Sequence, residues 1–113
     1  MQHTQLASGR WKTLTFVEQM ANVGSEVERT LSWRKKGRDA LSHKALERAL
    51  ELIELTQNAQ LKHFPRLKEI SRLKECLIDD IYGENQYGSS DQAWSHYFRA
   101  FTVAARAQHN QNL

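Results

Sequence analysis

The stretch TFVEQMANVGSEVERTLSWRKKG, residues 15–37, decides the fold. Its apolar residues Phe16, Met20, Val23, Val27 and Leu31 recur at spacings of three and four, which places them on one face of an α-helix. Thr15 and Glu18 stand as a capping box ahead of that run: the Thr15 hydroxyl can accept from the Glu18 amide, and the Glu18 carboxylate can reach back. The basic turn Arg34-Lys35-Lys36 followed by Gly37 is a stop signal, because cations suit a helix C-terminus and Gly readily takes the left-handed closing conformation. Ala21 and Gly24 are small and lie near the apolar face, so a second helix can approach closely there.

The same logic extends along the chain. A second helix is predicted from Asp39 to about Asn58, with Ala45, Ala49, Leu52, Ile53 and Thr56 as its central stripe. Leu41, Leu46, Leu50 and Leu55 spread its apolar surface round the cylinder, so burial on several sides is expected. Pro65 suits a first helical turn, where a missing amide loses no bond. A third helix therefore runs from Pro65 to Tyr82 on the face Leu67, Ile70, Leu77, Ile78 and Ile81. Gly83 to Ser90 is a polar loop, and Ser89-x-x-Gln92 opens a fourth helix lined by Trp94, Tyr97, Phe98, Phe101, Ala104 and Ala105. No segment alternates with the period of two expected of a half-buried strand. The expectation is an all-α, antiparallel up-down-up-down four-helix bundle over 15–108, with tails at 1–14 and 109–113.

Composition bounds the rest. A chain of 113 residues holds one hydrophobic core. At 40% apolar and 26% charged it is composed like a globular protein. One cysteine, Cys76, excludes an internal disulfide and any CxxC metal or redox motif. No run approaches the ~20 apolar residues of a membrane span, and the polar Met1–Arg10 lacks the apolar stretch of a secretory signal. The expected compartment is the cytoplasm, with no membrane partner.

Catalytic and metal-binding patterns are sparse. None of the five His has a Glu three residues before it, so the inward-facing pair of di-metal bundles is missing. Asp39 and His43 share a face but read as a solvated pair. Cys76 falls opposite the apolar stripe of the third helix, with nothing near it in sequence to lower its pKa. No Gly-rich phosphate loop and no GxSxG is present, and no metal or cofactor is expected. Trp33 to Leu52 resembles one helical hairpin of a tetratricopeptide repeat, with Trp33, Gly37, Ala49 and Leu50 near that family's positions. The stretch has no second copy, and arrays need about three. Arg38 and His43 resemble the Arg-x(4–6)-His motif of HEPN ribonucleases, in which Arg would stabilise phosphate and His would move a proton. With nine Arg and five His, roughly one such match arises by chance.

Charge and aromatics are more informative. Arg29–Lys44 carries a net +5, residues 62–74 a net +4, and residues 75–96 a net −5. In the expected topology the basic turn with Arg34, Lys35, Lys36 and Arg38 shares an end with Asp79, Asp80, Glu84 and Asp91, and the two can neutralise each other. Lys74 interrupts the third apolar stripe and needs a carboxylate or a route to solvent. Trp33 lies about 120° from Val27 round the first helix, where it either anchors a partner or pairs with Trp11 in a folded-back tail. Asn85, Gln86 and Tyr87 have the chemistry of adaptable recognition loops. The reading is a non-catalytic interaction or accessory subunit. It would contact a protein partner, or a second copy of itself, through Trp33, Arg34, Lys35, Lys36, Arg38, Asn85, Gln86 and Tyr87. The alternatives are a basic nucleic-acid-binding accessory protein and a HEPN-like ribonuclease using Arg38 and His43.

Overall fold

The computed structural model describes residues 9–111; the first eight residues of the expected N-terminal tail and the last two of the C-terminal tail lie outside the described residues. Four long helices follow a short helical turn that ends at Trp11: α1 Phe16–Lys35, α2 Asp39–Ala59, α3 Phe64–Ile81 and α4 Asp91–Gln111. Among the described residues there is no strand, and no helix is long and apolar enough to cross a membrane.

Local chemistry sets the helix ends. The Thr15 hydroxyl accepts from the Glu18 amide at 3.2 Å, and Glu18 Oε1 accepts from the Thr15 amide at 2.9 Å. Gly37 closes α1 at φ +73°, a conformation that favours glycine. Pro65 sits in the first turn of α3, where the His63 ring also accepts from the Arg66 amide at 3.4 Å. The opening of α4 differs from expectation. Ser90, one residue later than the predicted cap, accepts from the Ala93 amide at 3.1 Å. Ser89 is held back in the loop by Asn85.

The core joins Met20, Val23, Val27 and Leu31 of α1 to Leu46, Ala49 and Ile53 of α2, to Ile70, Leu73 and Leu77 of α3, and to Trp94 and Phe98 of α4. Helix α1 packs most extensively on α2 and α4, while α3 leans on α2. Gly24 permits the α1–α4 approach: a Cβ there would lie 2.7 Å from Phe98 Cδ1 and 2.8 Å from its Cβ. Leu52 and Phe101, on predicted core faces, are partly buried and pack against the edge of the core formed by residues such as Ile53 and Phe98. Leu41 is exposed at the start of α2.

The described parts of both expected tails are ordered against the helices. Trp11, in the expected N-terminal tail, is folded back and buried, and its Nε1 donates to Thr56 Oγ1 at 2.9 Å. Gln19 Nε2 donates to the Trp11 carbonyl at 3.0 Å, and Gln60 Nε2 donates to Gln19 Oε1 at 3.0 Å. This neutral network ties the N-terminal turn to α1 and to the end of α2. At the C-terminus, residues 109–111 continue α4, and Thr15 Oγ1 donates to Gln108 Oε1 at 2.8 Å.

Candidate functional site

The α1–α2 turn and the α3–α4 loop lie at one end of the molecule, drawn together by a forked arginine. Arg34 Nη1 contacts Asp80 Oδ1 at 3.0 Å and Arg34 Nη2 contacts Asp91 Oδ1 at 2.8 Å. The Asp80 side chain is only 5% exposed and also accepts from Trp94 Nε1 at 2.8 Å. Burial opposes the charge on Arg34. The hydrogen bonds and charges of Asp80 and Asp91 outweigh it and raise the guanidinium pKa above its ordinary value. Arg34 thus acts within the chain, joining α1, α3 and α4.

Asp79 does a second local task. Its two carboxylate oxygens accept from the amides of Gln86 and Tyr87, both at 3.0 Å. Asn85 sits at φ 55°, its Nδ2 donating to the Ser89 carbonyl and its Oδ1 accepting from the Ser89 amide, each at 2.8 Å. The loop is therefore pinned by side chains at both ends, and it presents Tyr87 at 53% exposure with the Arg72 guanidinium 5.5 Å over the ring.

The remaining cations of this end stand apart. Lys35, Lys36 and Arg38 are exposed, and none has an ion-pair partner among the described residues. Trp33 is half-buried, with Lys36 Nζ 5.3 Å over its ring. It does not meet Trp11, which is anchored on Thr56 near the far end of α2, so of the two alternatives for Trp33 the pairing with Trp11 is not formed. The paired residues of the ribonuclease motif are both exposed. Arg38 precedes α2, and the His43 ring lies 5.0 Å from that of Tyr82. Among the described residues no group of three His, Cys, Asp or Glu side chains could hold a metal ion. Lys74 finds a partner in the chain itself, Glu54 at 3.8 Å, with its side chain 32% exposed.

A second feature escaped sequence reading. The seam between α3 and α4 opens into a groove of about 330 Å³ floored by Leu73, Cys76, Ala93, Trp94 and Tyr97. Cys76 lies in this seam and packs against the core, not opposite it. The Tyr97 hydroxyl bridges the two helices, donating to Glu69 Oε2 at 2.6 Å. Burial first, and then the bond to and charge of Glu69, push the phenol above its ordinary pKa. The helical period of Leu73 and Leu77 against Trp94 and Phe98 marks the core side of both helices. How far apart the helices stand is a tertiary property with no local signal.

Comparison of the chain with protein-family models, with curated proteins and with solved structures finds no significant match in any of the three.

Proposed function

We propose that this chain is a small, non-catalytic interaction subunit, an antiparallel up-down-up-down bundle working in the cytoplasm. It would bind an acidic surface on another protein through Lys35, Lys36 and Arg38, flanked by Trp33 and Tyr87. One observation carries the reading: three acids of this end, Asp79, Asp80 and Asp91, are engaged within the chain, while Glu84 and Asp39 stay exposed. Asp80 and Asp91 hold Arg34, and Asp79 holds the loop amides, while Lys35, Lys36 and Arg38 are exposed without an ion-pair partner among the described residues, beside half-buried Trp33 and exposed Tyr87. Aromatic side chains beside charges are the composition of interaction hot spots, and uncompensated charge favours a partner of opposite sign. A two-fold contact between the basic and acidic groups of this end would find Asp79, Asp80 and Asp91 already engaged within the chain, which favours a different protein as the partner.

The test compares wild type with the double variant Lys35→Glu, Lys36→Glu in pull-downs from the source cell. A specific protein retained by wild type and lost by the variant supports the proposal. The nucleic-acid reading uses the same cations and is separated by salt. Tight binding of single-stranded RNA or duplex DNA, falling steeply with salt and abolished in the double variant, would replace the protein reading. Ribonuclease activity lost in His43→Ala would establish the enzyme instead. Light scattering tests self-association directly: a growing mass at high concentration would make the partner a second copy.

A further inference from the structure

We propose that the seam between α3 and α4 is a binding site for a compact aryl carboxylate: a flat apolar ring system carrying one carboxylate. The argument begins with what the groove shows. Its floor is Leu73, Cys76, Ala93, Trp94 and Tyr97. The polar atoms of both aromatics are already bound, Trp94 Nε1 to Asp80 and the Tyr97 hydroxyl to Glu69. Only their ring surfaces remain, and these suit a flat apolar body.

Size and charge narrow the class. A volume of about 330 Å³ is at the low end of ligand pockets, so the occupant is compact. Arg72 lines the groove and has no ion-pair partner among the described residues; its guanidinium lies 5.5 Å over the Tyr87 ring. A planar guanidinium binds a carboxylate with two parallel hydrogen bonds. Glu69, one helical turn earlier on α3, is the opposing charge and is tied to Tyr97. It disfavours an anion at that end and so orients the ligand, carboxylate toward Arg72 and ring toward Tyr97. The site uses none of Lys35, Lys36 or Arg38 and meets the proposed protein contact only where Arg72 lies over the Tyr87 ring, so the naphthoate readouts test the groove by itself.

The only cysteine of the chain lies in this groove, which makes thiol reactivity a specific reporter. The probe is 2-naphthoate, with 2-naphthamide as its uncharged match. A ligand of about 13 non-hydrogen atoms is expected to bind near ~1 mM. Two readouts are followed in the full chain: the rate of Cys76 alkylation by iodoacetamide, and the resonance of the Trp94 indole N–H. Naphthoate should slow alkylation and shift the Trp94 signal saturably. Naphthamide, or naphthoate with Arg72→Gln, should bind about tenfold more weakly, the worth of one charge-assisted contact. Arg72 is exposed, so its replacement leaves the core intact, and an unchanged helical circular dichroism spectrum checks this. No response to naphthoate at ~10 mM, tenfold above the expected constant, overturns the site. Equal responses to acid and amide, or an undiminished response in Arg72→Gln, overturn the assignment of a carboxylate.

Discussion

Asp80→Ala should destabilise the chain by about 2 kcal/mol, far more than an ordinary surface aspartate. The carboxylate accepts from Trp94 Nε1 at 2.8 Å and from Arg34 Nη1 at 3.0 Å. Trp94 is only 7% exposed, so its indole N–H loses its partner where water scarcely reaches; that contact is worth about 1.5–3 kcal/mol. The Arg34 side chain is 33% exposed and keeps Asp91, which reduces its share to that of a surface pair, about 0.2–1 kcal/mol. One effect opposes the loss. Asp80 lies in the last turn of α3, where the helix dipole disfavours an anion, and its removal returns about 0.3–1 kcal/mol. The balance is roughly 2 kcal/mol. With an m-value of about 1.5 kcal/mol/M, the urea midpoint should fall by ~1.3 M. Trp94→Phe and the double variant complete a cycle, with an expected coupling of about 1 kcal/mol or more. A midpoint shift under ~0.3 M, or additive effects in the cycle, would refute the claim that Asp80 holds the helices together.

Other outcomes follow from single contacts. Gly24→Ala should lower the melting temperature: the new Cβ meets Phe98 at 2.7–2.8 Å, and overpacking of about 1–3 kcal/mol exceeds the gain of up to ~1 kcal/mol in helix propensity. Tyr97 has its folded pKa raised above the ordinary value of 10.0, so its contribution is complete below that value and is lost as pH rises beyond it. Denaturation at stepped pH should show a fall above pH 10 that is shallower in Tyr97→Phe. Trp11→Phe should cost about 1–2 kcal/mol by removing the partner of Thr56, measured by thermal melting; an unchanged melt would return residues 9–14 to a loose tail.

The helices were legible because their signals are local. Thr15 and Glu18 are three residues apart, and Gly37 and Pro65 act within a turn, so each boundary could be placed to about one residue. Gly24 was legible for a related reason, being small and near an apolar face. Trp11 was not: its partners Thr56 and Gln19 stand 45 and 8 residues away, and no periodicity marks an isolated anchor. Ser89 and Ser90 offered two adjacent caps, and Asn85 chose between them by binding Ser89. At the candidate site the chain order placed basic and acidic segments at one end. Which cation would be taken up internally depended on side-chain reach: Arg34 spans to two carboxylates, while Lys35 and Lys36 point outward from the same helix turn.

The two ends of the molecule are held by different chemistry, and that difference bears on function. Near Trp11 the cross-links are neutral, Gln19 to Gln60 and Trp11 to Thr56, and they are buried. Neutral groups can be buried at modest cost when every bond is made, and among the described residues no buried side-chain polar atom lacks a partner. At the other end a buried neutral bond, the Ser42 hydroxyl donating to the Thr30 carbonyl at 2.9 Å, is joined by ionic cross-links that reach the surface through Arg34 and Asp91. Asp79 and Asp80 sit against their own helix dipole there, a placement that local structure alone disfavours. Their contacts explain it: Asp80 fixes α1 and α4, and Asp79 fixes the loop that carries Tyr87. A loop already fixed loses little freedom when a partner docks, so more of the contact energy appears as affinity. The same acids are taken up by Arg34 and the loop amides, and among the described residues Lys35, Lys36 and Arg38 make no ion pair. The pinned loop and the cross-linked helices at this end thus share the same acids, and Asp80→Ala should weaken the proposed protein contact as well as stability, even though the Asp80 side chain is only 5% exposed.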